Sequence, residues 1–372
     1  MGEEVPVVEQ AQIRASAEQR YAHELVALAE RDREQGAELP PGWRLSARAV
    51  RDFVVGDPAV GVTRKFYGDD PLVDRAVVTL LGRQGLMLVG EPGTAKSMLS
   101  ELFAAAISGT SNLTVQGTAG TTEDHIRYSW NYALLLAEGP TPRALVPSPV
   151  YQGMVGGQVV RFEEITRCAP EVQDTLVSIL SEKQLMVPEQ GAESRVSARP
   201  GFNLIGTANL RDRGVNEMSA ALKRRFNFET VRPLTDRAFE VELISHQLAA
   251  ALGDQAERVR VDRDVLDLLV TAFQDLRGGR TSDGVPVKTP ETVMSTAEAV
   301  NVAHAAALEA RYLGSGTVTG AGIARQLAGV ALKDSAEDAT RLRYYVDTVV
   351  RERARTDARW REFLGAATDL WG

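Results

Sequence analysis

The chain has a single cysteine, Cys168, in 372 residues. One thiol excludes an internal disulfide framework and a cysteine-rich zinc site. Histidine is almost as scarce. His23, His125, His246 and His304 fall in four separate segments and lack the spacing of a metal-ligand set, so they read as structural or surface residues. No apolar run approaches the roughly 20 residues needed to span a bilayer. The N-terminus, MGEEVPVVEQ, is acidic and polar and does not read as a secretory signal. An excess of positive charge is also missing. The formal net charge is −8, which removes the overall basic footprint of a non-specific nucleic-acid binder. The expectation is a cytoplasmic protein with neither nucleic acid nor a membrane span in its function.

What is present centres on Leu86–Ser97, LMLVGEPGTAKS. A short apolar run ends in Gly90, and a helical pattern, MLSELFAAAIS, follows Ser97. Strand, loop and helix in that order form a phosphate cradle. Loop N–H groups point inward, and the helix start adds its positive dipole end. Lys96 is placed to reach the β- and γ-phosphates, and the Ser97 hydroxyl to ligate Mg²⁺. The glycine usual before the lysine is missing and Ala95 stands there, a methyl tolerable only if the backbone keeps a negative φ.

At 372 residues the chain exceeds what one core usually serves, so two or more domains are expected. Residues 11–35 carry Ile13, Tyr21, Leu25 and Leu28 at helical intervals, and a second short element spans Ser46–Val55. Residues 1–60 thus read as a helical extension, an appendage to the core. Residues 61–233 read as the nucleotide-binding core, opening on a helix at Pro71–Leu81. Asn112–Gln116, Gln158–Phe162 and Phe202–Thr207 read as strands, Pro170–Leu180 as a helix and Lys183–Ser197 as a β-hairpin. Between Gly117 and Gly157 no clear helix is visible, and hairpin-like insertions are expected there, with Tyr128, Trp130, Tyr132 and Tyr151 in local packing. Residues 234–372 read as helices: Asp236–Leu252, Asp262–Leu276, Pro290–Arg311, Thr319–Leu332 and a final stretch from Glu337.

Hydrolysis needs Mg²⁺, an oriented water and charge on the transition state. The segment Val159–Arg167, VVRFEEITR, is an apolar strand ending in two carboxylates. Glu163 is assigned to Mg²⁺ through water, and Glu164 to polarising the attacking water. Taken alone this would be a solvated acidic turn; its place about 70 residues after a phosphate loop argues otherwise. A second apolar strand, within Asn203–Gly214, ends in Asn209, whose amide is placed to hold the same water from the other side. The segment Ala221–Phe226, ALKRRF, offers Arg224 and Arg225 as clamps on phosphoryl charge, reaching a neighbouring subunit if the protein forms a ring.

These four segments, in this order, resemble the AAA+ ATPases. In that family's terms Gly90, Glu91, Pro92, Gly93, Thr94, Ala95, Lys96 and Ser97 form Walker A, Glu163 and Glu164 Walker B, Asn209 sensor 1, and Arg224 or Arg225 the arginine finger. The resemblance implies an α/β core, a parallel sheet flanked by helices, with a C-terminal α-helical lid and here an N-terminal helical extension. GEPGTAKS, EEITR followed by APEVQDTLVSILSEKQL, and the hairpin ahead of sensor 1 are similar to the MoxR branch. That branch implies ATP and Mg²⁺, a homo-oligomeric ring, most often a hexamer, and a client or adaptor protein, often with a von Willebrand A domain. It also places an insertion within Gly117–Gly157 and suggests an adenine-lining role for Lys65, Phe66 and Tyr67, against a plain packing role.

Three departures accompany the resemblance. Ala95 replaces glycine, Glu163 stands where aspartate is usual, and Thr289-Pro290-Glu291 stands where a Ser-Pro-Arg sensor 2 is expected, with Lys288 as a substitute cation. The pair Asn209 and Asp212 also resembles McrB-type motors that use GTP. Two alternatives therefore stand beside an ATP-driven remodelling motor: a nucleotide-gated scaffold with little hydrolysis, and a GTP-driven motor of a restriction or defence system.

Overall fold

The computed structural model describes residues 14–209, 214–291, 294–332 and 335–371. The chain forms two compact units. The first runs to Gly90 and resumes over Lys96–Thr230; the second comprises Glu91–Ala95 and Val231–Gly372.

The first unit opens with α1 (Ala17–Arg20), α2 (Ala22–Glu34) and α3 (Ala47–Val55). Polar contacts knit this extension together and tie it to the sheet-bearing part of the unit. Ser46 caps α3 by accepting from the Ala49 N–H, and its own N–H and hydroxyl donate to the buried Asp32 carboxylate at 2.7 and 2.8 Å. Then come α4 (Asp70–Leu81), β1 (Gly85–Val89) and α5 (Lys96–Ser108). Arg14 and Arg20 of the extension both bind Glu101 of α5 at 2.9 Å.

The remaining strands are β2 (Thr114–Gln116), β3 (Tyr128–Trp130), β4 (Leu145–Pro147), β5 (Val159–Glu163), β6 (Gln184–Met186), β7 (Arg195–Ser197), β8 (Asn203–Ala208) and β9 (Phe226–Thr230). Five of them form a parallel sheet in the order β2-β5-β8-β1-β9. β1 and β8 are buried along their whole length, which suits near-continuous apolar runs covered on both faces. Because the strands are parallel, the C-terminal ends of β1, β5 and β8 emerge on one edge. The phosphate loop, Glu163 and Asn209 lie at or just beyond those three ends, at the edge where open α/β sheets bind ligands.

The segment 117–157 departs from expectation. It does hold an antiparallel pair, β3 with β4, but that pair encloses the helix α6 (Tyr132–Glu138), and α7 (Pro149–Gly156) comes next. Caps explain both helices. Asn131 accepts from the Leu134 N–H and Ser148 from the Tyr151 N–H, with Pro149 pre-set for the first turn. The aromatics pack locally: the Tyr128 ring meets Trp130 and Tyr151 edge-on at 5.9 and 6.4 Å, while Tyr132 is exposed. After α8 (Pro170–Glu182), β6 and β7 form the expected hairpin, and the short α9 (Ala220–Lys223) precedes β9.

The second unit is helical: α10 (Arg237–Leu252), α11 (Arg263–Gly278), α12 (Thr296–Tyr312), α13 (Gly320–Ala331), α14 (Ala336–Tyr345), α15 (Arg351–Arg353) and α16 (Ala358–Trp371). The apolar faces of all but α15 share one core that includes Leu269, Phe273, Ile323, Leu327 and Phe363. α12 begins six residues later than the Pro290 start expected from sequence. A reciprocal cap fixes it: Ser295 accepts from the Glu298 N–H and the Glu298 carboxylate accepts from the Ser295 N–H. Within this core Glu240 is fully buried and takes bonds from Arg277, Gln274 and Thr296. Among the described residues no helix is long and apolar enough to cross a membrane.

Candidate nucleotide site

The phosphate loop bends at two left-handed residues, Gly93 (φ +73°) and Ala95 (φ +66°). Alternation of this kind curls successive N–H groups into an anion-binding nest. It also corrects the expectation for Ala95, whose backbone does not keep a negative φ. The loop must turn there whichever residue occupies the position, and a side chain in that region costs roughly 1–2 kcal/mol. Lys96 opens α5, is 7% exposed, and its Nζ donates to the Gly90 carbonyl at 3.1 Å.

Glu163 ends β5 almost completely buried, and its two oxygens are shared between four donors. Oε2 accepts from the Ser97 and Thr207 hydroxyls at 2.6 and 2.7 Å. Oε1 accepts from the Ser100 hydroxyl at 2.6 Å and Arg161 Nη2 at 2.8 Å. Burial alone would raise this carboxyl, but Ser100, Ser97, Arg161 and Thr207 together hold it below the usual carboxylate range. The extra methylene of glutamate therefore does not separate the carboxylate from Ser97. Ser100, Arg161 and Thr207 are absent from the sequence-based site, although two periodicities point to the first two. Arg161 shares a strand face with Glu163 at spacing two, and Ser100 shares a helix face with Ser97 at spacing three.

Glu164 is held in a left-handed conformation, φ +53°, with its N–H donating to Thr207 Oγ1 at 3.0 Å. Its carboxylate pairs with the Arg167 guanidinium. Backbone strain of this kind, at the end of a strand that carries Glu163, persists only where the surrounding structure holds it. Gly117 makes room for it: the Gly117 N–H donates to the Glu163 carbonyl at 2.7 Å, and a Cβ there would lie 2.4 Å from the Glu164 carbonyl oxygen. Asn209 comes directly after β8. Its Oδ1 is buried and meets no hydrogen-bond partner among the described residues. Asp212 lies outside the described residues.

The two candidate arginines differ. Arg225 Nε donates to Ser181 Oγ and Nη1 to the Ala221 carbonyl, both at 2.9 Å. Arg224 is exposed, and its guanidinium makes no hydrogen bond or ion pair among the described residues. Lys65 packs rather than lining an open pocket. It is buried, donates to the Phe53 and Thr63 carbonyls and to Glu24, and lies over the Tyr21 and Phe53 rings. Lys288 Nζ lies 4.9 Å from the Tyr344 ring centre inside the helical unit.

The donor set fits a hard cation with a nucleotide. Ser97 Oγ and Glu163 Oε2 are adjacent oxygens at a helix start. Among the described residues no group of three His, Cys, Asp or Glu forms a metal cage, so Mg²⁺ here would keep water and phosphate ligands, as it ordinarily does.

Residues 85–226 match the AAA domain (dynein-related subfamily), and residues 238–369 match the YehL-like AAA+ ATPase C-terminal domain. The uncharacterized protein YehL of Escherichia coli (strain K12) is 50% identical over 347 residues, which cover 93% of this chain and 94% of that one. This chain belongs to the AAA+ ATPases of the MoxR and YehL type. The chaperone MoxR1 of Mycobacterium tuberculosis is 28% identical to this AAA+ protein over 193 residues, 52% of this chain and 47% of MoxR1. The helical region expected as a lid thus carries a family description of its own, and the parallel sheet with flanking helices is the expected AAA+ core.

Proposed function

We propose that this AAA+ protein binds ATP with Mg²⁺ between subunits of a homo-oligomeric ring, most simply a hexamer, and hydrolyses it to remodel a partner protein. The observation that carries the reading is the meeting of Ser97, Glu163 and Thr207 at three neighbouring elements, one residue from Glu164 and two from the Asn209 amide oxygen, which has no partner among the described residues. The nest and Lys96 hold the phosphates. Ser97 and Glu163 would hold Mg²⁺, which would neutralise charge on the β- and γ-phosphates. Glu164, released from Arg167, takes the proton of the attacking water, and Asn209 orients that water. Arg224, exposed and with its guanidinium unbonded among the described residues, reaches the γ-phosphate held by the adjoining copy, while Arg225 braces the turn through Ser181. A client or adaptor protein, with a von Willebrand A domain as the first candidate, receives the motion.

A second reading has one observation in its favour. The Arg167 ion pair engages Glu164, as befits a scaffold in which ATP drives assembly with little turnover. Phosphate release and light scattering on one sample separate the two. The motor reading expects ATP-dependent assembly and turnover that Glu164→Gln and Arg224→Ala both abolish. Turnover untouched by Glu164→Gln and by substitution of both arginines would sink it. Assembly without phosphate release would select the scaffold. Stronger thermal stabilisation by GTP than by ATP at equal concentration would move the assignment to a guanine nucleotide.

A further inference from the structure

We propose that Arg161, with Ser100, is a positioning residue that makes Glu163 present one oxygen rather than two beside Ser97, and so sets a preference for Mg²⁺ over Ca²⁺. The inference rests on the nucleotide site proposed above.

A glutamate has one more rotatable bond than the aspartate usual at this strand end. Left to itself it would turn either or both oxygens toward a cation. Here its freedom is removed by a fixed template. Arg161 Nε donates to Ser100 Oγ at 3.0 Å, and Nη1 to the Ser111 carbonyl and Thr114 Oγ1 at 3.2 and 3.4 Å. Nη2 donates to the Ser97 carbonyl at 3.2 Å and to Glu163 Oε1 at 2.8 Å. All the N–H directions of the guanidinium are thus engaged, on α5, on the loop after it and on β2. Such a planar fork neither deprotonates nor reorients readily.

The consequence is an asymmetric carboxylate. Oε1 faces a guanidinium that has no lone pair to offer a metal, plus the Ser100 hydroxyl. Among the described residues Oε2 faces two hydroxyls, Ser97 and Thr207. A hydroxyl can rotate its proton away and turn a lone pair to a cation. Where Glu163 meets the cation directly, and not through the water expected from sequence, one carboxylate oxygen and one hydroxyl suit the small octahedral Mg²⁺. Ca²⁺ is larger, takes more ligands and accepts a bidentate carboxylate. Freeing Oε1 would therefore favour Ca²⁺.

The test measures the affinity of a fluorescent ATP analogue for the full chain in Mg²⁺, in Ca²⁺ and in EDTA. Arg161→Lys keeps the charge and loses the fork. Ser100→Ala removes the second Oε1 donor without touching charge, and serves if the lysine variant folds poorly. Both are expected to lower the Mg²⁺-to-Ca²⁺ affinity ratio about tenfold, the low end for loss of an outer partner of a metal ligand. For Ser100→Ala, affinity in EDTA and the unfolding temperature should stay near wild type, which a merely structural role would not spare. A ratio equal to wild type in both variants overturns the inference while leaving the nucleotide site intact. A wild-type protein whose nucleotide binding ignores Mg²⁺ would fail the site reading first, and this inference with it.

Discussion

Two buried carboxylates, one in each unit, solve the same problem differently. Glu163 in the α/β unit is 5% exposed and is held by three hydroxyls and one arginine. Glu240 in the helical unit is fully buried and is held by both terminal nitrogens of Arg277, by Gln274 and by Thr296. A buried carboxylate must be paired and hydrogen-bonded to be tolerated. Glu240 meets that demand with a two-pronged guanidinium that ties α10 to α11 and to the start of α12. Glu163 meets half of it with hydroxyls that can turn away. The first arrangement is a rivet, and the second leaves a carboxylate oxygen available to a ligand.

Substitution should expose this difference. The largest effect expected is in turnover: Glu164→Gln, next to the exchangeable carboxylate, should lower phosphate release by about 10²–10⁴-fold while nucleotide binding persists. Glu240→Ala strands the Arg277 charge in the helical core and is expected to cost about 3–5 kcal/mol, read as earlier loss of helical circular dichroism on heating. If Glu163→Gln costs as much stability as Glu240→Ala, the contrast between the two sites is wrong. Glu163→Gln is instead expected to cost less than Glu240→Ala, because the glutamine oxygen still accepts from Arg161, and to weaken Mg²⁺-dependent nucleotide binding.

Lys183 sharpens the comparison from the other sign of charge. Its Nζ is buried over the Phe202 ring with no hydrogen-bond partner among the described residues, and burial lowers its pKa to about 8. Between about pH 8 and the ordinary 10.5 the unfolded chain holds a proton that the folded chain has released. Stability should therefore rise with pH across that window. Lys183→Met should raise the melting temperature at pH 7 and flatten the rise. The smallest effect belongs to the loop: Ala95→Gly relieves a left-handed alanine and is expected to stabilise by about 1 kcal/mol, visible as a melting shift without nucleotide.

The parts of the site that lie at strand ends are legible in the sequence. Gly93, Lys96, Ser97, Glu163, Glu164 and Asn209 each come after an apolar run, and parallel pairing delivers them to one edge. The supporting residues are harder to read. Ser100, Arg161 and Thr207 lie on α5, β5 and β8, and all three become neighbours through the packing of α5 on the sheet together with the strand order. Ala95 looks compatible with its loop because sequence carries no dihedral angle. α6 escapes notice because its short exposed run has no amphipathic period, and α7 does so despite its Ser148-Pro149 start signal. For α12 two start signals compete. Pro290 suits a first turn, whereas the reciprocal Ser295–Glu298 cap sets the actual start.

The strand order also fixes a timetable for synthesis. β1 carries the phosphate loop, yet both of its neighbours, β8 and β9, lie more than a hundred residues downstream. Chains emerge from the ribosome at about 5–20 residues per second. For on the order of ten seconds, then, the run Gly85–Val89 has no strand to pair with on either side. The elements made just before and after β1, α4 and α5, are the ones at hand to cover that run until the rest of the sheet arrives.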